Sequence, residues 1–179
     1  MLETKPEVAL KQIQELKSFT TDAISELRQF ISDLRPSQLD DLGLVPALRF
    51  LADRVTANLD LKVTLTVQGE IWRLDPQAEI ILFRIAQEAL TNAARHARAD
   101  QATIELSRHP DHCTLWVSDN GVGFIPEQVI ATPKGMGLAG MRERLKMVDG
   151  NLSIESSPGH GTRLEAIIPC CDLDGEYEG

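Results

Sequence analysis

Cysteine is scarce in this 179-residue sequence: Cys113, Cys170 and Cys171 are the full set, and two of them are adjacent. An odd count at that spacing builds no disulfide framework and fits a reducing compartment. No apolar run approaches the ~18 residues that cross a bilayer. The opening residues, MLETKPEVALKQ, lack the apolar centre of a secretory signal. The chain therefore reads as soluble and cytoplasmic. Positive charge is also short, with 18 Lys and Arg against 27 Asp and Glu and a formal net charge of −9, of which Asp172, Asp174, Glu176 and Glu178 supply a cluster at the tail. An acidic surface repels a phosphate backbone within a Debye length of about 8 Å, which argues against nucleic acid as a partner. A small anion needs only a few local donors and remains allowed. Internal repeats, low-complexity tracts, regular strand–helix–strand alternation and the P-loop pattern GxxxxGK[ST] are all missing.

What is present is an ordinary globular composition, 42% hydrophobic and 25% charged. It suits one compact domain with a helical appendage. From Pro6 to Leu34 the residues Ala9, Ile13, Leu16, Thr20, Ala23, Leu27, Phe30 and Leu34 alternate spacings of four and three. That is the seam of a coiled coil or helix bundle, and Ile24 and Ile31 widen it towards a four-helix face. Two readings are open: a helix packed on its own domain, or one that pairs with a helix outside this chain. Pro36 ends it.

Residues 37–43 read as a linker, and Leu44 to Leu59 as an amphipathic helix with Pro46 in its first turn. Lys62–Gln68 alternates as a strand. Asp75 and Pro76 open a long helix running to about Ala97. Strands follow over 102–107 and 114–118, then a loop over 119–137, a helix from Leu138 to Val148, and strands over 152–156 and 162–168. Helices early and strands late predict an α+β fold, a two-layer α/β sandwich preceded by a long coiled-coil-like helix.

Three constellations carry chemistry. On the long helix Arg84, Glu88, Asn92 and His96 recur every four residues beside Ile85, Ala86, Ala89 and Leu90. This is either a solvated face or a half-buried polar stripe facing a ligand. Asn offers a neutral oxygen of the kind Mg²⁺ accepts when phosphates complete its shell, Glu88 can order water or act as a base, and Arg95 can meet phosphate. Asp119-Asn-Gly-Val-Gly-Phe124 follows a strand. It is a tight turn, or a place where backbone approaches a ligand and Asp119 accepts from the exocyclic amine of adenine. Gly135-Met-Gly-Leu-Ala-Gly140 runs into a helix N-terminus, where free N–H groups suit phosphate. The intervening IPEQVIATPK is a candidate lid. Gly159-His-Gly-Thr162 reads as a hairpin turn whose hydroxyl can reach a base, and His109 and His112 flank another turn.

Together, in this order, these elements resemble the GHKL ATP-binding superfamily. Glu88-Ala-Leu-Thr-Asn92 looks like its N box, Asp119–Gly123 its first glycine box, Gly135–Gly137 its second, and Gly161-Thr162 its late Gly-Thr element. More narrowly, LRPSQLDDLGLVPAL, FRIAQEALTNAARHA, GMGLAGMRERL and IESSPGHGTRLEAIIP are similar to sensor histidine kinases of the nitrate/nitrite-sensor class. The resemblance implies a Bergerat-type fold over 44–170, with 1–36 as the second helix of a dimerisation and phosphoacceptor hairpin and 171–179 as a disordered acidic tail.

It implies ATP and Mg²⁺ as ligands. Asn92 would ligate the metal. Asp119, supported by Thr162, would hold adenine, and Arg95 and His96 would lie near phosphate. Gly121, Gly123, Gly135 and Gly137 would shape the pocket and its lid, with Lys134 and Leu138 among the nucleotide contacts. Glu88 stands where hydrolytic relatives keep a base. A phosphoacceptor hairpin, a response regulator and a second copy of the full protein are the implied partners. One departure stands out. The four histidines, His96, His109, His112 and His160, all lie outside the N-terminal helix, so the phosphoacceptor is expected on another segment or polypeptide. A larger parent kinase, with its membrane attachment open, is the expectation. An interaction module that senses ATP, and a hydrolytic ATPase using Glu88, are the alternatives.

Overall fold

The computed structural model describes residues 37–69, 73–130 and 136–169, all within the unit Ser37–Gly179. The expected helix over 6–35, the acidic tail 171–179, Cys170, Cys171, Lys134 and Gly135 lie outside the described residues.

Among the described residues the first helix begins before the expected Leu44. The expected linker 37–43 is instead helical over Ser37–Leu42 (α1). The reason is tertiary. Leu39 is buried in the core, and its carbonyl accepts from Arg73 Nη2 at 3.3 Å. The chain turns at Gly43 into α2, Leu44–Asn58, which buries Leu44, Ala47, Leu48 and Leu51 as its periodicity predicts. β1, Lys62–Gln68, alternates exposed and half-buried residues, with Val63, Leu65 and Val67 on the packed side.

Asp75 caps the next helix: one of its carboxylate oxygens accepts from the N–H groups of Gln77 at 2.8 Å and Ala78 at 3.3 Å. With Pro76 in the first turn, α3 runs over Pro76–Asn92 and passes into a π-helical turn, Ala93–Ala97, before Arg98 takes a left-handed φ of 52°. Glu79 is buried on α3. Its Oε1 accepts from Arg73 Nε at 3.0 Å and from the Leu74 N–H at 3.1 Å. Because Arg73 also reaches Leu39, this carboxylate ties the start of α3 to α1.

β2 (Gln101–Arg108) and β3 (His112–Asp119) follow. The stretch 119–137, expected as loop, holds a short helix α4, Pro126–Ile130, and α5 starts at Met136 rather than Leu138, running to Lys146. Gly137 thus sits in a first helical turn, where backbone N–H groups lack intrahelical partners and a glycine costs little. β4 (Asn151–Ser156) and β5 (Thr162–Pro169) close the fold.

The sheet order is β1-β2-β3-β5-β4. β1 and β2 are parallel and joined through α3, one strand–helix–strand unit that the sequence pattern does not announce; the other pairings are antiparallel. Leu82, Ile85 and Leu90 of α3, with Met141 and Leu145 of α5, join Ile104, Leu106, Leu115, Leu152 and Ala166 of the sheet in one apolar cluster. Helices cover one face of the sheet. The expected two-layer sandwich is the observed one.

Candidate functional site

Strand register builds the site. Ala102 pairs with Asp119, Asp119 with Thr162, and Thr162 with Ser156. Alternation puts these four side chains on the face that also carries Ile104, Val117 and Leu164, so they form one row across the end of the sheet, on the helix side. Asp119 and Thr162 are both half-buried there. The Gly121 N–H donates to Asp119 Oδ1 at 2.8 Å. Burial pushes the Asp119 carboxyl above the ordinary aspartate value, while the Gly121 N–H, and the hydroxyl and N–H of Thr162, pull the other way. A carboxylate that keeps acceptor capacity at the edge of an apolar layer suits the amine of a flat heterocycle.

Ser156 completes the row. Its hydroxyl donates to the Gly161 carbonyl at 2.8 Å, accepts from the Phe124 N–H at 2.9 Å, and lies 3.3 Å from Thr162 Oγ1. One hydroxyl thereby fixes the loop after Gly123 to the β4–β5 turn. The glycines between are sterically required. At Gly123, φ is 62° and a side chain would run into the Ser157 and Gly161 carbonyls. At Gly121, a Cβ would fall 2.5 Å from Ala97 Cβ and closer still to the Ala97 carbonyl. The Val122 N–H donates to that carbonyl at 2.8 Å.

The polar stripe of α3 meets the same neighbourhood from the other side. Arg84, Glu88 and Asn92 are half-buried. Arg84 Nη1 donates to Gln87 Oε1 at 2.8 Å. Glu88 Oε1 lies 2.5 Å from where a Gly137 Cβ would stand, so α5 packs its first turn directly on this carboxylate. After Asn92 the stripe does not continue as expected. The π-helical turn holds one residue more than an α-turn, so the four-residue spacing lapses. Ala97 meets Gly121, while Arg95 and His96 are exposed.

A cavity of about 710 Å³ opens beside the row, lined among others by Asp119, Thr162, Ser156, Ile154, Ile125 and His160. Asp119 and Thr162 are thus brought together as the sequence predicts. Glu88, Asn92, Arg95 and His96 do not line this cavity. The nearest links are the packing of Ala97 on Gly121, beside Asp119, and of Glu88 on Gly137; Gly121, Gly123 and Gly137 do not line the cavity either. Gly161 lines the cavity with Thr162, and Leu138 is buried in the core cluster at the start of α5. Ser156 and His160 line the cavity although the sequence gives neither a site role. Only pairing to Thr162 gives Ser156 its place, and that pairing needs a register no local pattern supplies. His109 and His112 stay apart from the site, stacked at 4.4 Å in the β2–β3 turn at the opposite end of β3 from Asp119. No cluster of three metal-ligating residues occurs among the described residues.

Residues 77–171 match the family described as histidine kinase-, DNA gyrase B-, and HSP90-like ATPase. The chain is 35% identical over 161 residues to the signal transduction histidine-protein kinase/phosphatase DegS of Brevibacillus brevis, which covers 90% of this chain and 41% of that protein. To the oxygen sensor histidine kinase NreB of Staphylococcus carnosus (strain TM300) it is 33% identical over 161 residues, 89% of this chain and 46% of that one. The chain therefore spans less than half the length of these relatives. Its fold is similar to that of the mycobacterial sensor histidine kinase MprB, with a TM-score of 0.53, 22% identity, and coverage of 71% of this chain and 91% of that one.

Proposed function

The chain belongs to the histidine kinase-, DNA gyrase B-, and HSP90-like ATPase family, and from that premise we propose that it is the ATP-binding catalytic part of a two-component sensor histidine kinase. The observation that carries the reading is the row Asp119–Thr162–Ser156 on the rim of a 710 Å³ cavity, with Ala97 of the π-helical turn after α3 docked against the adjoining Gly121.

In this reading the adenine amine donates to Asp119. The Thr162 hydroxyl steadies that carboxylate, and Ser156 steadies Thr162. The triphosphate extends towards the end of α3, where the exposed Arg95 and His96 add positive or hydrogen-bonding groups, and towards Gly137 in the first turn of α5; Lys134 and Gly135 are further nucleotide contacts implied by the family resemblance. A divalent metal fits the donor set. The Asn92 amide is half-buried, makes no hydrogen bond to a described residue, and offers the neutral hard oxygen that Mg²⁺ accepts. A divalent metal held by Asn92 would supply charge neutralisation to the phosphates.

The transfer itself needs an acceptor that these residues do not provide. An imidazole nitrogen of a histidine on a separate hairpin attacks the γ-phosphorus. The bond from that phosphorus to the bridging oxygen breaks, ADP leaves, and a phosphohistidine remains for relay to an aspartate of a response regulator. The work of this chain is positioning and charge stabilisation. Glu88, packed against Gly137, is placed to orient the end of the phosphate chain. A homodimer of the full protein and a cytoplasmic location belong to the same reading. No described helix is long and apolar enough to cross a membrane.

Calorimetric titration with MgATP and MgGTP, on the wild type and on Asp119→Ala, tests the proposal. MgATP binding preferred over MgGTP, with the preference lost in Asp119→Ala, is the expected result. Absence of any nucleotide binding by the wild type would end the reading. In addition, labelled ATP should leave the chain unlabelled while labelling an added hairpin that carries the acceptor.

A further inference from the structure

Asn120 is exposed and stands beside Asp119, outside the proposed contacts, yet its side chain is heavily engaged. Its Oδ1 accepts from the Asp100 N–H at 3.2 Å and from the Gln101 N–H at 3.1 Å, and its Nδ2 donates to Asp100 Oδ1 at 2.6 Å. Its own N–H donates to the Gln101 carbonyl at 3.2 Å. Only a carboxamide meets these demands, because a carboxylate has no donor for Asp100 and a hydroxyl cannot span all three groups.

The residues it grips are the exit from the π-helical turn. From Asn92 the chain passes through Ala93–Ala97, reverses at the left-handed Arg98, and enters β2 at Gln101. Two residues after Asn120, the Val122 N–H holds the Ala97 carbonyl at 2.8 Å, and Gly121 between them lies flat on Ala97. Asn120 and Val122 therefore clamp both ends of the segment 97–101 to the loop that carries Asp119. The end of α3 cannot slide along that loop without breaking one hold or the other.

We propose that Asn120 is a positioning residue for nucleotide binding: its amide fixes the separation between Asp119, at the base end of the site, and the end of α3 with Asn92, Arg95 and His96, at the phosphate end. The inference rests on the nucleotide reading above. It requires no contact between Asn120 and the ligand. It predicts a particular signature, since a ligand that spans both ends depends on their spacing and a ligand that occupies the base end alone does not.

The test compares MgATP with adenosine on the wild type, on Asn120→Ala, on Asn120→Asp, and on the double exchange Asp100→Asn/Asn120→Asp. In Asn120→Ala the dissociation constant for MgATP should rise about fivefold, the scale of one lost hydrogen-bond set, while that for adenosine stays within about twofold. Asn120→Asp sets two carboxylates against each other and should weaken MgATP at least as much. The double exchange should recover it, since the new carboxylate accepts the two N–H groups and the new amide supplies the donor. A side chain that serves stability alone would lower the melting point without separating the two ligands. Equal losses for MgATP and adenosine, no loss of MgATP binding, or a double exchange no better than Asn120→Asp would each overturn the proposal. Failure of the wild type to bind MgATP would instead overturn the nucleotide reading, and this inference with it.

Discussion

Gly121→Ala places one methyl group where the structure has no room for it. The added Cβ would lie 2.5 Å from Ala97 Cβ and 2.9 Å from the Ala97 carbonyl carbon, well inside contact distance, and the nearest obstacle is backbone. Unlike the tip of a flexible side chain, the end of the π-helical turn cannot swing aside. Relief requires the 121 loop and Ala97 to separate, which lengthens the 2.8 Å bond between the Val122 N–H and the Ala97 carbonyl. Overpacking costs about 1–3 kcal/mol, and the lost hydrogen bond adds about 1 kcal/mol, so about 2–4 kcal/mol of destabilisation is expected. For a domain of this size each kcal/mol moves the thermal midpoint by roughly 3–4 °C, giving a drop of roughly 6–16 °C by calorimetry. Gly159→Ala is the control. Its φ of 85° strains an alanine, but nothing lies within 4 Å of the new Cβ. Strain alone should cost about 1–2 kcal/mol. In Gly121→Ala, MgATP binding should also be lost at temperatures where the domain remains folded. A Gly121→Ala protein as stable as Gly159→Ala, and binding MgATP like wild type, would refute the claim that contact between Ala97 and Gly121 sets the site.

Asp119→Asn should stabilise the unliganded domain at neutral pH, because burial disfavours the charged carboxylate. The sign follows from linkage. The folded-state pKa lies above the unfolded value, so the contribution of Asp119 is fully present below the unfolded value of 3.8 and is lost as pH rises through the folded one. The stability difference between variant and wild type should therefore shrink as pH falls towards 3.8 in chemical denaturation curves, and a difference that widens would contradict the assignment. Glu79→Ala strands the buried Leu74 N–H and releases Arg73 from its carboxylate, at a cost of about 2 kcal/mol in urea denaturation. Amide exchange should quicken first in α1, and unchanged protection there would refute its tether through Arg73.

Much of the layout is legible in the sequence because its signals are local. Asp75-Pro76 announces a helix start, and the structure shows that cap. The alternation of Lys62–Gln68 and Thr114–Ser118 marks strands, and the row of Asp119 with Thr162 follows from glycine and hydroxyl positions that the family resemblance supplied. Misreadings fall where distant partners decide. Ser37–Leu42 looks like a linker until Leu39 finds the core and Arg73 holds its carbonyl. His96 belongs to a four-residue stripe only while the helix stays α, and the π-helical turn after Asn92 arises where the chain must meet Gly121. Gly137 looks like a loop glycine, yet it stands inside a helix beside Glu88. The parallel pairing of β1 with β2 needs a partner some forty residues away in sequence, roughly the length of a crossover unit, and no window of local pattern contains it.

The alignment of β3, β5 and β4 has a bearing on how the protein is assembled. Side chains alternate along a strand, so a slip of β5 by one place would present Arg163 where Thr162 stands and turn the hydroxyl to the rear of the sheet. A nucleotide held by that row, as proposed above, would reward the native alignment alone and give no benefit to mispaired chains. Binding would thereby proofread strand register, and a cell rich in the ligand would favour correctly aligned copies over close misfolds.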